Sequence, residues 1–453
     1  MIDLLVLVLL VVGIVLATAK LKISPFLALI AAALIGAFAF RLPLADIVPT
    51  ISTAFGSSLG NIGLVILFGT MIGVILERSG GAISMADALI RWLGTRFPTL
   101  TMSIIGYVVS IPVFCDSGYV ILNSLRKAIA VRTGVSALAM SIALMTGLYA
   151  THTLVPPTPG PLAAAENIGA GDYLGLIIAI GLPVAAVAAF AGLLFAQTFA
   201  KKPFAPAPDP EGAQEVTQSW DELRASYGKL PSAWLAFLPI LLPLVLICAA
   251  SIAKLPNRPL GESTLYDIVT FIGTPTIALL IGLVAATLLL SGHGKLATFN
   301  ANIAEAIRVA APILFITAAG AAFGAVLAKS TITTFLSENL AGLGIGLAVP
   351  FLVSAALKSA QGSSTVAMVT TSALIAPLLG SLGLSSPIGM ALTVLAIGAG
   401  AMVVSHANDS YFWVVSQMSR IPVATAYRTL TIASGIEGIA AFAAVWVISL
   451  FVL

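Results

Sequence analysis

The sequence predicts an all-α polytopic membrane protein with two inverted-topology repeats, each holding a re-entrant helical hairpin and a broken transmembrane helix. Three observations lead there. Hydrophobic residues make up 59% of the 453 residues and charged residues only 9%, with a mean hydropathy of +1.09, whereas a soluble domain carries roughly 25% charged residues. The apolar runs are about 20 residues long, the length of a helix that crosses a bilayer and too long for a barrel strand. The two halves also share an ordered series of features. This composition excludes a soluble enzyme, a disordered chain and a nucleic-acid binder. Two cysteines, Cys115 and Cys248, supply neither a disulfide framework nor a metal set.

Apolar spans are expected at 2–19, 23–40, 57–76, 135–152, 173–199, 232–253, 265–290, 303–327, 387–405 and 430–453. The first imitates a signal peptide, but Asp3 precedes its apolar core and Lys20 and Lys22 follow it. A signal peptide carries its positive charge in front, so this stretch reads as a transmembrane helix with its N-terminus outside. Two further stretches, 98–131 and 346–380, are long for one span and broken near the middle, at Cys115–Gly118 and at Gln361–Thr365. Both read as re-entrant hairpins, because irregular backbone at membrane depth is tolerated only where it is buried or lines a cavity. Threading the chain from an outer N-terminus puts 16 of the 21 Lys and Arg residues inside and 5 outside, and leaves the C-terminus outside as well.

The Pro-rich segment 200–230 holds nine of the 39 charges. It reads as a cytoplasmic linker, with a short amphipathic helix around Ser219–Tyr227, between an N-terminal half (1–199) and a C-terminal half (231–453). The halves resemble each other. Gly69, Gly73, Leu76 and Ser79 recur as Gly320, Gly324, Leu327 and Ser330, at a constant offset of 251. Each match is followed by an amphipathic stretch (Ala82–Leu93, Thr331–Leu343), a hairpin, and a span broken by a polar, His-containing segment (His152–Pro161, Ser405–Ser410). The threading gives the two copies opposite directions, the architecture of secondary transporters with a midplane site.

Ionisable residues at membrane depth are costly and therefore candidates for function. They are Asp116 at the first tip, His152 at the first break, Lys358 before the second tip, His406 and Asp409 at the second break, and Glu437 in the last span. Helix ends at the tips offer backbone N–H groups to an anion. Gly118 and Gly362 permit close approach, and Ser117, Ser363, Ser364 and Thr365 add hydroxyls. Such a set suits a carboxylate carrying hydroxyl groups. The candidate binding site is Asp116, Ser117, Gly118, His152, Thr153, Gly362, Ser363, Ser364, Thr365, His406, Asn408 and Asp409. Asp116 is the first candidate for a coupling proton, followed by His152 and Asp409. Simpler roles compete at each: a helix cap for Asp116 and Asp409, a packed imidazole for each histidine, a back-bonded hydroxyl for each Ser or Thr. Lys358 reads as an anion attractor or as a side chain snorkelling to the interface, Glu437 as structural, and His293 as a solvated loop residue. Pro156, Pro157, Pro159 and Pro161 break their helix and expose carbonyls.

With these motifs (Pro112–Leu122, His152–Pro161, Gly362–Ala367 and Ser405–Trp413) the chain resembles the gluconate permease family, within the ion-transporter superfamily, over nearly its whole length. The proline-rich motif is the most specific. The resemblance implies a proton-coupled symporter for gluconate or a related small hydroxy-acid in the bacterial inner membrane, with a D-serine or glycerate transporter of the same family as the alternative. It also implies a homodimer and elevator-like motion. The chain departs from the family pattern at Asp116-Ser117, Asn123-Ser124 and Thr158, all beside the presumed pocket. A sodium-coupled carrier is the main rival, with Asn408, Asp409 and hairpin carbonyls as ion ligands. An intramembrane enzyme and a passive channel fit less well: Ser405 and His406 are adjacent and do not converge as a catalytic pair, and an inverted repeat argues for alternating access. No cofactor or nucleotide motif is present in the sequence.

Overall fold

A computed structural model describes residues 2–21, 23–204, 220–254, 261, 263–290, 295–330, 346–406 and 409–453. Among the described residues the regular structure is helical, with no strand. In the first half run α1 (Ile2–Val15), α2 (Pro25–Ala39), α3 (Leu44–Arg78), α4 (Gly81–Leu93), α5 (Pro98–Val109), α6 (Cys115–Thr133), α7 (Ala137–Leu154), α8 (Pro159–Ile168) and α9 (Leu174–Gln197). A short α10 (Trp220–Ser226) precedes α11 (Ala233–Ala253), α12 (Thr264–Ile272), α13 (Pro275–Thr287) and α14 (Lys295–Ala328). Then follow α15 (Ala348–Gln361), α16 (Ser364–Ile375), α17 (Pro387–Gly400), α18 (Ser410–Met418) and α19 (Val423–Val452).

Local chemistry sets many of these ends. Pro25, Pro98, Pro159, Pro275 and Pro387 open their helices, where proline's missing N–H costs nothing. Helices α5, α15 and α16, at 12, 14 and 12 residues, rise only about 18–21 Å at 1.5 Å per residue, short of a bilayer core of ~30 Å. Each is followed or preceded by a tight turn, Ser110–Phe114 in one case and Gly362-Ser363 in the other. Gly362 has φ +90°, a conformation that glycine adopts without strain.

Among the described residues, five helices are long and apolar enough to cross a membrane, or up to seven if each of two bent pairs is one span. They differ in what they face. The window within Ala137–Ile168 is 100% buried, whereas that in Val423–Val452 is 22% buried, so α7–α8 is central and α19 lies at the periphery of the chain. With α4 set aside, the order long helix, short helix, turn, helix, helix, break, helix, long helix runs through α3–α9 and again through α14–α19. The counterpart of α4, expected at Thr331–Leu343, lies outside the described residues, as do His293 and residues 205–219 of the Pro-rich linker. The helix expected around Ser219–Tyr227 is α10, which docks on α4: Trp220 Nε1 donates to Asp87 Oδ1 at 3.2 Å and Arg224 Nε pairs with Asp87 Oδ2 at 3.1 Å.

Two expected spans need correction. The span at 57–76 is the second part of a 35-residue helix that begins at Leu44 and bends by 43° near Asn61. Pro49 and the polar residues Ser52, Thr53, Ser57, Ser58 and Asn61 lower the hydropathy of its first half. The span at 265–290 is two helices, α12 and α13, bent by 66° at Gly273-Thr274-Pro275. Proline disfavours helical backbone in the residue before it.

The repeated glycines mark close packing. Helices α3 and α14 form the most extensive helix pair among the described residues. A Cβ on Gly73 would lie 2.6 Å from the carbonyl oxygen of Pro112 in the first turn, and one on Gly324 would lie 2.8 Å from that of Ala373 in α16. Each half thus presses its long helix against the backbone of a turn-and-helix unit.

Candidate functional site

Four helix N-termini gather where the turns meet the breaks. Helices α6 and α18 adjoin through Asp116, whose carboxyl reaches the Ser410 side chain. Helices α8 and α16 adjoin at Gly160, where a Cβ would touch Thr365 Cα at 3.8 Å and Met368 Sδ at 2.9 Å. Lys358 ties the second turn to α18: its Nζ donates to the Gly362 carbonyl and, at 2.6 Å, to Asp409 Oδ2. Helix N-termini carry partial positive charge and unpaired N–H groups, so this junction has anion-binding character before any side chain is counted.

The Lys358–Asp409 pair is its electrostatic centre. Lys358 is 0% exposed and Asp409 4%. Asp409 is held from three directions: by Lys358, by the Ser405 hydroxyl, and by the Tyr411 backbone N–H at 3.1 Å, which makes it the N-cap of α18. The ammonium also lies 5.7 Å above the Tyr149 ring. A buried charge survives only when paired and hydrogen-bonded, and this pair meets both conditions. Lys358 therefore does not snorkel to the interface. Its position near the end of α15 brings it inward to the turn's own carbonyl.

Asp116 and His152 face this pair but are bonded differently. Asp116 Oδ2 accepts from Cys115 Sγ at 3.8 Å, while Oδ1 is buried with no hydrogen-bond partner among the described residues. His152 Nδ1 is likewise buried without a partner, and its ring lies 5.8 Å from that of Phe114 in the first turn.

The other expected residues divide. His406 Nε2 contacts the Ser359 carbonyl at 2.9 Å. Ser363 caps α16, accepting from Val366 N at 3.3 Å. Ser364 reaches the Tyr149 hydroxyl. Ser117 turns toward Glu77 at the end of α3, Gly118 packs on Leu148, and the Thr153 hydroxyl back-bonds to the Tyr149 carbonyl at 3.0 Å. Thr365 lies against Gly160, and Asn408 lies outside the described residues. Tyr149, Ser405, Ser410 and Tyr411 belong to the junction although they were not singled out. Tyr149 stands three residues before His152, and so one turn away on the same face of α7. The remaining three are interleaved with His406 and Asp409.

Two cavities of about 330 and 400 Å³ lie nearby, and Asn61 of α3 and Glu166 of α8 line both. The second extends between α3, α8, α14 and α16, with Ser58 and Asn167 in its wall. Neither is lined by Asp116, Lys358 or Asp409; around the buried Lys358–Asp409 pair, Asp116, Ser363, Ser364 and Thr365 are half-buried and Ser410 is exposed. No group of three or more His, Cys, Asp or Glu side chains suited to a metal occurs among the described residues.

Comparison with known proteins follows the same outline. The pattern of the GntP family permease matches residues 2–451. The chain is 33% identical to the D-serine transporter DsdX of Escherichia coli K12, covering 97% of this chain and 96% of that one. It is 32% identical to a gluconate permease of Pseudomonas aeruginosa, covering 93% and 92%. Its fold is similar to that of the YdaH transporter of Alcanivorax borkumensis, with a TM-score of 0.67 at 16% identity over 94% of this chain and 98% of that one. The resemblance drawn from the four sequence motifs therefore holds over the whole chain, and the protein is a multi-pass membrane protein and not an enzyme: it belongs to the GntP family of permeases.

Proposed function

We propose that this permease imports a small hydroxylated carboxylate together with a proton across the bacterial inner membrane, and that the coupling proton is carried by Asp116. One observation carries this reading: a buried, fully bonded Lys358–Asp409 pair faces a carboxyl group, Asp116, that has an unmet oxygen. The pair is neutral overall, so it does not cancel the partial positive charge of the junction's helix N-termini, which favours a substrate carboxylate; Asp409 and Ser363 each take up one N–H there, at α18 and α16. An ionised Asp116 would repel that carboxylate. A protonated Asp116 removes the repulsion and adds a donor. Proton and substrate then strengthen each other's binding reciprocally, as linkage requires. Ser364, Ser410 and Thr365 supply hydroxyls for a polyol or amino-acid backbone, in keeping with relatives that are a gluconate permease and a D-serine transporter.

The matching element order of α3–α9 and α14–α19 supports two repeats, 1–199 and 231–453, joined by the 200–230 linker, and the Lys/Arg distribution supports their inversion with both termini outside. The site at the junction must face each side of the membrane in turn. An elevator-like displacement of the turn-and-break units against α3 and α14, within a homodimer, accomplishes this without dismantling the pair.

The test is uptake by proteoliposomes under an imposed pH gradient, with labelled gluconate, D-serine, L-idonate and glycerate. One of these acids should accumulate, a protonophore should abolish the accumulation, and Asp116→Asn should abolish it while leaving substrate exchange intact. Accumulation that needs sodium and ignores the pH gradient would overturn the proposal.

A further inference from the structure

Glu437 is the one acidic side chain of α19, and it lies 14 residues into that 30-residue helix, at the middle of its length. It is 0% exposed, and neither carboxyl oxygen has a hydrogen-bond partner among the described residues. Such a group is hard to account for by packing alone. A buried polar atom without a partner costs stability, and leucine or methionine would fill the same space without that cost.

Its surroundings point to the transport site. Helix α19 packs on α9, α17, α7 and α18. Helices α9 and α17 carry no ionisable side chain. The ionisable groups that face Glu437 from the other two are Tyr149 of α7 and Tyr411 of α18, the same two tyrosines that line the junction. One turn before Glu437, the Ser434 hydroxyl accepts the Ser405 backbone N–H at 2.9 Å. Ser405 in turn donates its own hydroxyl to Asp409. Glu437 therefore stands directly behind the second break, one residue layer from the charged pair. A buried carboxyl group without a donor is stable only with a proton on it, and the break beside it belongs to the unit that moves in the transport reading above.

We propose that Glu437 is a second proton-carrying residue, loaded and emptied from behind the second break in each transport cycle. This rests on the proton-coupled reading above. The experiment uses the full-length protein in proteoliposomes and whichever of gluconate, D-serine, L-idonate and glycerate the wild type accumulates. Two quantities are measured: accumulation at equilibrium under a gradient of about one pH unit with the membrane potential clamped at zero, and exchange of labelled for unlabelled substrate without a gradient. Each coupled proton multiplies accumulation about tenfold per pH unit. Glu437→Gln should therefore lower accumulation about tenfold or more and leave exchange within about twofold. Unchanged accumulation in Glu437→Gln would overturn the proposal and make the residue a passive acid. Loss of exchange together with accumulation would also overturn it, in favour of a role in packing. Failure of the proton-coupled reading itself shows separately, as wild-type accumulation that ignores the pH gradient.

Discussion

The two turn-and-break units are built alike but bonded differently. In the second, Lys358, Asp409 and Ser405 satisfy one another, and Ser434 braces Ser405 from α19. In the first, Asp116 keeps one oxygen and His152 one ring nitrogen without partners among the described residues. A buried polar network is stable when every member is satisfied and costly when it is not. The second unit thus acts as a fixed electrostatic frame. The first has spare hydrogen-bonding capacity, which is what a site that gains and loses a proton or a ligand requires.

The largest effect should come from breaking the frame. Lys358→Met leaves Asp409 as a buried charge without its counter-ion, a loss of about 3–5 kcal/mol. The purified variant should melt well below the wild type and show no uptake. Adding Asp409→Asn should restore most of the stability, because the pair is then removed as a unit, but not the transport. A single variant as stable as the wild type would show that the pair is no frame.

A smaller effect separates the two units mechanically. Gly73→Ala and Gly324→Ala each push a methyl group into a backbone carbonyl, at 2.6 and 2.8 Å. Overpacking of this kind costs about 1–3 kcal/mol where the neighbour cannot yield. By distance alone Gly73 should be the worse site. If the first unit is the adaptable one, the order reverses: Gly324→Ala takes the full cost, and Gly73→Ala takes less because the Ser110–Phe114 turn gives way. Thermal melting of both variants in one detergent decides the order.

Most of this site was legible because polar residues are rare in the chain. Asp116, His152 and Asp409 stand out against apolar runs, and the prolines after His152 mark a helix that must stop. Lys358 was visible but ambiguous. A lysine four residues before a glycine turn can reach either the interface or the turn's own carbonyl, and only the packing of α15 against α17 decides which. Tyr149 was hidden for a different reason: a tyrosine in an apolar helix has many ordinary roles, and its place beneath the Lys358 ammonium depends on contact between halves more than 200 residues apart in sequence. The first part of α3 was missed because the polar residues that line the two cavities are the same ones that dilute its hydropathy.

The smallest effect on stability is expected at Asp116, and it bears most directly on the contrast between the units. Asp409→Asn strips three donors of their anion and leaves the Lys358 ammonium buried, so it belongs with the large losses. Asp116→Asn exchanges a carboxyl with one unmet oxygen for an amide of the same shape, and only the contacts to Ser410 and Cys115 are at stake. Its cost should stay within about 1 kcal/mol, and its melting curve should nearly overlie that of the wild type. The same substitution in the two units would then separate stability from coupling: one aspartate holds the fold at the junction, the other holds the proton. If Asp116→Asn proved as damaging as Asp409→Asn, Asp116 would be part of the frame, and the proton would have to be carried by His152 or by Glu437.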